Sequence, residues 1–301
     1  MRKYFVENVI ELMEIDQTVV FLTADLGFGS FEILQERFPL RFYNVGIAEQ
    51  NMVGMACGLS IKGKKVIIYS IANFSSLRVI EQIRNYLVYH GSKVLIVNGG
   101  GGFSYGQLGY THYATEDISM MSSLPEIDIF APFDARTIAI SIREWYDSCK
   151  VAYLRLEKND IDILGSISYL DGFTLVGSES CPNKIICFGS VCAKAIKSKE
   201  ILAQQGIEVS IYILYRLKNI SKFFTTLKTG NSLLILEENA KRGGIGQFIF
   251  GNCIESNIIL KAGRILAIQD VVCDVIGDQD YMRLKHGISS ENIQKFFLEQ
   301  L

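Results

Sequence analysis

The sequence predicts an α/β protein of two domains, each built around a mainly parallel β-sheet. Short continuous runs of β-branched and other apolar residues alternate with longer segments of helical periodicity along almost the whole chain, which is the pattern of a sheet covered by helices on both faces. The chain has 301 residues, whereas one domain usually has about 100–200. The alternation lapses once, after residue 157. We therefore predict a first domain at 1–160, a linker at 161–183 and a smaller second α/β domain at 184–301.

The elements of the first domain follow from local patterns. Apolar residues at helical spacing, such as Phe5, Val9 and Leu12, predict an N-terminal helix. Because the later strands alternate with helices, they are expected to pair in parallel. The predicted strands lie at 18–23, 41–45, 64–70, 92–98, 126–132 and 151–156, and the predicted helices between them at 47–61, 74–88 and 134–147.

The second domain shows the same alternation over a shorter length. Its apolar runs are again rich in isoleucine, leucine and valine, which favours buried strands. The predicted strands lie at 184–190, 207–214, 232–239 and 264–270, and a last helix is predicted at 290–300.

Composition excludes several classes of function. Thirty basic residues against 32 acidic ones give a formal charge of −2, so neither nucleic acid nor an anionic membrane surface is expected as a partner. No apolar run reaches the ~18–20 residues that span a bilayer, and the N-terminus lacks the apolar stretch of a signal peptide. The seven cysteines form no C-x-x-C pair, which is typical of reduced thiols in a cytoplasmic protein.

One acidic residue stands out by its surroundings. The segment NVGIAEQNMVGMACGLS (44–60) places Glu49 among small and apolar residues, just after a predicted strand and in the first turn of a predicted helix. Parallel α/β folds bind ligands at such positions. The helix N-terminus favours the ionised carboxylate and an apolar environment favours the protonated acid, which suits a group that holds or shares a proton. A simple helix cap is the alternative that position alone leaves open.

The Glu49 segment resembles the catalytic-glutamate motif of thiamine-diphosphate enzymes of the transketolase branch. Five further segments resemble other parts of that family, and they occur in the family's order over nearly the whole chain. They are TADLG (23–27), SIANFSSLRVIEQIRN (70–85), GYTHYATEDISMMSSLPEIDIFAPFDA (109–135), AYLRLEK (152–158) and ILEENAKRGGIGQ (235–247). The resemblance implies a pyrimidine-binding domain at 1–160, followed by a transketolase C-terminal domain.

The resemblance also implies a set of cofactor-binding residues. Glu49 would hydrogen-bond a ring nitrogen of the cofactor's aminopyrimidine and so promote the tautomer that activates the thiazolium ring. Phe74 would stack on the aminopyrimidine, although a core aromatic is the alternative. Asp25 would lie near the thiazolium and the subunit interface, with a helix cap as its alternative. Ile47 and Ile71 would line the same pocket, and Ile71 stands where an aromatic residue is usual.

A second set of residues is implied for the substrate. His112 would bind substrate oxygens and shuttle protons, and Arg155 would bind a sugar phosphate, with an ion pair as the alternative. Arg78 would contact substrate or remain a solvated charge. Leu108 stands where the family has an aspartate that contacts sugar hydroxyls. We therefore expect altered sugar recognition, with poor use of ordinary pentose-phosphate donors.

The family's Gly-Asp-Gly…Asn signature for Mg²⁺ and diphosphate is missing from this sequence, because its one Gly-Asp pair, Gly277-Asp278, continues as Gln279. The resemblance then implies the C-terminal subunit of a split transketolase, active in a heterotetramer with an N-terminal subunit that ligates Mg²⁺. The reaction would transfer a two-carbon ketol unit from a ketose to an aldose. A 2-oxoacid dehydrogenase β-subunit, an enzyme like deoxyxylulose-phosphate synthase and a non-catalytic assembly subunit remain as alternatives. The form GIAEQN and the Gly-x-Thr-His spacing favour transketolase.

Overall fold

The first sheet has six parallel strands, as the alternating pattern predicts. The structure is a computed structural model that describes residues 1–148, 150–158 and 169–300. The strand order is β2-β1-β3-β4-β6-β5. The strands are β1 Val19–Thr23, β2 Phe42–Asn44, β3 Lys65–Ile71, β4 Val94–Gly99, β5 Ile127–Phe130 and β6 Val151–Leu156. The central strands β1, β4 and β6 are buried along their whole length, which explains their continuous apolar runs.

Helices cover both faces of this sheet. Phe5 and Val9 of the N-terminal helix join one buried cluster with Trp145 of the helix before β6. Met52 and Val53 join the cluster on the opposite face. The helices are α1 Arg2–Ile15, α2 Glu32–Arg37, α3 Glu49–Ile61, α4 Ile80–Gln82, α5 Asp117–Ser123 and α6 Ala135–Asp147.

The single helix predicted at 74–88 is wrong in detail. The chain forms two 3₁₀ turns, Ala72–Ser75 and Leu77–Val79, then α4 and a π-helical segment, Ile83–Val88. Ala72 has φ +47°, and the Ser76 hydroxyl donates to its carbonyl oxygen at 3.3 Å. Because small hydroxyl side chains compete with helical hydrogen bonds, a regular helix is interrupted here.

The second sheet has five strands in the order β11-β10-β8-β9-β7. They are β7 Phe173–Val176, β8 Asn183–Cys187, β9 Ser210–Leu214, β10 Ser232–Ala240 and β11 Ala262–Ile268. All pairs are parallel except β7, which runs antiparallel to β9. Its helices are α7 Cys192–Gln204, α8 Ser221–Phe224, α9 Ile245–Glu255, α10 Gln279–Lys285 and α11 Ser290–Leu298.

Strand β7 lies inside the segment predicted as a linker, so part of 161–183 belongs to the second sheet. Residues 161–168 of that segment lie outside the described residues. The two domains are joined by backbone hydrogen bonds, for example from Ala131 N to Tyr215 O at 2.8 Å and from Ala240 N to Thr115 O at 2.6 Å. In the described part of the chain, no helix is both long and apolar enough to cross a membrane.

The order of the second sheet creates a crevice. From the central strand β8 the chain passes to β9 on one side and then returns to β10 on the other. Open α/β sheets bind ligands at the carboxyl ends of the strands where the winding reverses in this way. In the second domain this place lies between the ends of β8 and β10.

Candidate active site

Glu49 lies at the first position of α3, in the short connection after β2. Gly46 has φ +73°, a conformation that favours glycine, and its N–H donates to Asn44 Oδ1 at 3.0 Å. The Glu49 side chain is 4% exposed, and the N-cap position before it is taken by Ala48, which makes no side-chain capping hydrogen bond. Its Oε1 accepts a hydrogen bond from Arg78 Nη1 at 2.9 Å. Glu49 is therefore a buried, paired acid at a helix N-terminus and not the capping residue.

Phe74 and His112 lie next to this pair. The Arg78 guanidinium is 4.0 Å from the centre of the Phe74 ring, and the His112 ring meets Phe74 edge-on at 5.4 Å. The Thr111 hydroxyl is 3.1 Å from His112 Nδ1. Four of the predicted residues thus form one continuous series of contacts, from Glu49 through Arg78 and Phe74 to His112.

Asp25, Ile47 and Ile71 surround this group at the same edge of the sheet. Asp25 has φ +55°, and its Oδ1 accepts a hydrogen bond from Asn44 Nδ2 at 3.0 Å. Asp25 does not cap α2, whose capping residue is Phe31. Ile47 is 80% exposed, and Ile71 is half-buried at the end of β3. The face around Glu49 is therefore partly apolar and open to a ligand or another chain.

Leu108 and His112 belong to one segment, residues 100–113, which we call the histidine loop. It joins β4 to α5, and Leu108 ends a 3₁₀ turn in it. The Leu108 side chain is 55% exposed and lines a cleft of about 1000 Å³ between the domains. At this position the chain offers an apolar group and no hydrogen bond to a ligand.

Arg155 requires a correction. It lies within β6 with no exposed surface, and its Nε is 3.4 Å from Oδ2 of the equally buried Asp117. Its Nη2 donates to the Glu238 carbonyl oxygen at 2.8 Å. Burial raises the pKa of Asp117, and the positive charge of Arg155 opposes that shift. With no exposed surface in this structure, Arg155 offers no donor to a sugar phosphate. The alternative, an ion pair, is what the structure shows.

A cationic cavity that the sequence analysis missed lies beside Arg155. It has a volume of about 410 Å³ at the carboxyl ends of β3, β4 and β6, and its walls include Arg2, Tyr69, Tyr105 and Lys158. Lys158 Nζ lies 4.1 Å from the centre of the Tyr105 ring. Burial and the charge of Arg2 lower the pKa of Lys158. Glu157 also lines the cavity, and burial raises the pKa of its carboxyl. The walls therefore carry two cations against one acid, which favours an anionic group.

Tyr69 adds a polar group to the wall of this cavity. Its hydroxyl is buried and makes no hydrogen bond of standard geometry within the described part of the chain. Burial raises the pKa of Tyr69 to about 12, so the phenol keeps its proton and can donate a hydrogen bond to a ligand. The sequence signal for this cavity is a lysine placed just beyond the end of a strand, in AYLRLEK.

Residues 1–162 match the family model described as "Transketolase, pyrimidine binding domain". The fold is thus that of a transketolase pyrimidine-binding domain, and enzymes of this family depend on thiamine diphosphate. The chain belongs to the transketolase family.

Similar proteins and solved structures also indicate which part of a transketolase this chain corresponds to. It is 32% identical to a putative transketolase C-terminal section of Methanocaldococcus jannaschii, over 100% of this chain and 96% of that protein. It is 28% identical to a subunit of the apulose-4-phosphate transketolase of Phocaeicola vulgatus, over 99% and 96%. A solved structure described as a split gene transketolase, inactive beta4 tetramer, superposes with a TM-score of 0.87 at 26% identity, over 100% and 97%. The chain is a C-terminal subunit of a split transketolase.

Proposed function

We propose that this chain supplies the cofactor-activating and substrate-binding half of a transketolase that moves a two-carbon ketol unit from a ketose to an aldose. The observation that carries the proposal is the burial of Glu49 at the start of α3, in contact through Arg78 and Phe74 with His112. Thiamine diphosphate, when bound, supplies the carbon nucleophile that accepts the ketol unit. The residues of this chain would position that cofactor and move protons.

Each residue at the open face has a distinct task in this proposal. Glu49 holds or shares a proton with a ring nitrogen of the aminopyrimidine, because its environment excludes most water. Phe74 provides the flat surface on which that ring stacks. His112 binds substrate oxygens and carries protons to and from them. Arg78 contacts Glu49 and would reach substrate from there. Asp25, Ile47 and Ile71 line the cofactor side of the pocket.

The cavity lined by Arg2 and Lys158 would bind the anionic end of the sugar, the role that the resemblance gives to Arg155. Two cations, set against the single carboxyl of Glu157 in the same wall, attract a phosphate or a similar group. The relative from Phocaeicola vulgatus is named for a phosphorylated sugar, apulose 4-phosphate. Leu108, which cannot hydrogen-bond a hydroxyl, would shift the choice of sugar away from ordinary pentose-phosphate donors.

A separate N-terminal subunit would bind Mg²⁺ and the diphosphate of the cofactor, in a cytoplasmic heterotetramer. In the described residues no group of three or more His, Cys, Asp and Glu side chains is arranged to hold a metal ion. Ile47 and Met55 are exposed, and α3 has open space at Gly54 and Gly58 where another chain could approach. The six described cysteines are buried free thiols, which fits a reducing compartment.

Reconstitution tests this proposal. The chain purified alone should self-associate and show no ketol transfer with thiamine diphosphate and Mg²⁺, as the inactive tetramer of its structural neighbour indicates. Adding a transketolase N-terminal subunit should restore transfer from a phosphorylated ketose, with one active site per pair of unlike chains. Micromolar, Mg²⁺-dependent binding of the cofactor to the isolated chain, measured by calorimetry, would contradict the split-site proposal.

A further inference from the structure

The crevice at the carboxyl ends of β8 and β10 is filled by charged side chains of the chain itself. Glu238 at the end of β10 is 1% exposed, and Arg283 of α10 is 6% exposed. Glu157, which follows β6 in the first domain, is 5% exposed and enters the same crevice. Buried charges are rare unless they are paired and hydrogen-bonded. The hydrogen-bond and ion-pair partners of these three side chains therefore indicate the role of the crevice.

Glu238 connects the second domain to the histidine loop. Its Oε1 accepts hydrogen bonds from the backbone N–H of Phe103 at 2.5 Å and from Gln279 Nε2 at 2.9 Å. Its Oε2 pairs with Arg283 Nε. Arg283 Nη2 donates to the Ser190 hydroxyl at 2.5 Å. Both carboxylate oxygens are thus held in place, and one of them binds the backbone of the loop that carries His112.

The contact with Glu157 shows that this anion-binding position is already occupied. Glu157 Oε2 accepts the N–H of Ser190 at 2.9 Å, in the 3₁₀ turn that leads into α7. Burial, together with the nearby charge of Glu238, raises the pKa of Glu157, and Arg155 and Arg283 oppose that shift. A carboxylate of the first domain therefore sits where an open α/β sheet would bind an external anion.

The histidine loop fits closely against the second domain. Gly102 has φ +57°, and a Cβ at this position would lie 2.3 Å from Glu238 Oε1, so a larger residue would strain the backbone and displace the Glu238 carboxylate. The Phe103 ring stacks on His286 with centroids 5.2 Å apart. The Tyr113 hydroxyl donates to the Val275 carbonyl oxygen at 2.7 Å. Both ends of the loop are therefore attached to the second domain.

We propose that Glu238 is a positioning residue, which fixes the base of the histidine loop from the second domain and so determines where His112 and Leu108 stand. Gly102 and Ala114 exchange two backbone hydrogen bonds, of 2.8 and 3.0 Å. Because these bonds join the two ends of the loop, holding Phe103 holds both ends. The consequence for turnover rests on the proposed function, whereas the consequence for loop order does not.

Hydrogen–deuterium exchange on the isolated chain tests the order of the loop. In Glu238→Ala, amides of residues 100–113 should exchange at least about tenfold faster, the factor expected from losing one buried, charge-assisted hydrogen bond. Exchange in β1, β3 and β4 should stay as in the wild-type chain. A folded variant with an unchanged loop would overturn the proposal.

Glu237 provides a matched control. It is the neighbouring residue on β10 and equally buried, but its carboxylate accepts the N–H groups of Ile245 and Gly246 at the start of α9. Glu237→Ala should loosen α9 and leave the histidine loop unchanged. If both variants increased exchange in the loop to the same extent, the effect would be general destabilisation and the proposal would be wrong.

A second pair of variants covers the case in which Glu238→Ala fails to fold because Arg283 is left without a partner. Glu238→Gln and Glu238→Met are compared in an Arg283→Met background, where no unpaired cation remains. Gln and Met have similar size, but only Gln can accept the Phe103 N–H. Faster loop exchange in the Met variant supports the proposal, and equal exchange in the two contradicts it.

The reconstituted enzyme gives a separate measurement. Glu238→Ala should lower kcat by about tenfold or more, because His112 is misplaced. In the Arg283→Met background, Glu238→Gln should retain a higher kcat than Glu238→Met. Cofactor affinity should not change, since Glu49 and Phe74 do not contact the second domain through Glu238. A weaker cofactor affinity with unchanged kcat would contradict a role in placing His112. If the enzyme has no transketolase activity at all, the exchange experiment still decides the structural claim.

Discussion

At the carboxyl edge of the first sheet, Glu49 and His112 border an open face, whereas at the same edge of the second sheet Glu238 and Arg283 are buried against the first domain. Both sheets have the topology that creates a ligand crevice at strand ends. In one domain the crevice is open, and we propose that a cofactor and another chain occupy it. In the other, carboxylates of the chain itself occupy it. A charged crevice in this fold can therefore position a neighbouring loop as well as bind a ligand.

Glu49→Gln tests the open edge most severely. The amide keeps the size of the side chain but cannot supply the acid proton, so turnover of the reconstituted enzyme should fall by about 10²-fold or more. Glu81→Gln changes an exposed glutamate of α4 and should have no effect. The direct measurement is exchange of the thiazolium proton by NMR. A wild-type exchange rate in Glu49→Gln would show that Glu49 is not the activating acid.

His112→Ala should reduce ketol transfer by about 10²-fold and leave cofactor affinity unchanged, because its role is with the substrate. His90→Ala, in the turn after the π-helical segment, is the matched control. Steady-state kinetics and calorimetry separate the two quantities. Normal turnover combined with a large loss of thiamine-diphosphate affinity would show that His112 binds the cofactor and not the substrate.

Lys158→Ala distinguishes the cationic cavity from the buried Arg155. The KM for a phosphorylated donor should rise about tenfold or more, the usual effect of losing one charged hydrogen bond. The KM for an unphosphorylated donor should not change. Lys150→Ala, at the opposite end of β6 and exposed, should change neither value. Equal effects on both donors would mean that Lys158 does not contact the phosphate.

Glu237→Gln tests how strongly the second domain depends on its buried acids. Burial raises the pKa of Glu237 to about 8 from 4.5. Between these values the folded state keeps a proton that the unfolded state has released. The free energy of unfolding should therefore fall as pH rises through this window, by up to about 1.4 kcal/mol per pH unit. Urea unfolding from pH 5 to 8 should show a smaller slope in Glu237→Gln, and an unchanged slope would assign the pH dependence to other groups.

The fold could be predicted because most strands are buried on both faces. The run VLIVNG of β4 is fully buried, so it carries the apolar signature of a central parallel strand. Strand β7 was missed because it has only four residues, lies at an edge and runs antiparallel between Gly172 and Gly177. The helix at 74–88 was predicted from apolar spacing, which takes no account of the hydroxyl groups that interrupt it.

The candidate site also has residues that local sequence predicts and residues that it does not. The grouping of Glu49, Phe74 and His112 at one edge of the sheet could be predicted because each follows a strand end in a local motif. The resemblance gave Arg155 a role with the sugar phosphate, and a strand buried on both faces shows no alternation from which its burial in an ion pair could be read. Lys158, which we propose as the phosphate-binding residue instead, lies just beyond the end of β6.

The network of Glu238 left no local signal. Its hydrogen bond from Phe103 joins residues 135 positions apart, and neither residue stands in an unusual local pattern. A glycine run before the histidine was visible in the sequence. Only the fold shows that a side chain at position 102 would displace a buried glutamate of the other domain.

The position of Glu157 has a consequence for how the polypeptide could be divided. Arg155 and Glu157 already bind the second domain, through the Glu238 carbonyl oxygen and Ser190, before the chain crosses to it. The two domains are therefore held by non-covalent contacts that do not need the connecting peptide. A protease cut between Lys158 and Tyr169 should release no fragment, and the two pieces should co-purify as one particle. This protein is itself one half of a divided enzyme. If it were divided once more at this point and encoded by two genes, the two products should still form a single folded body.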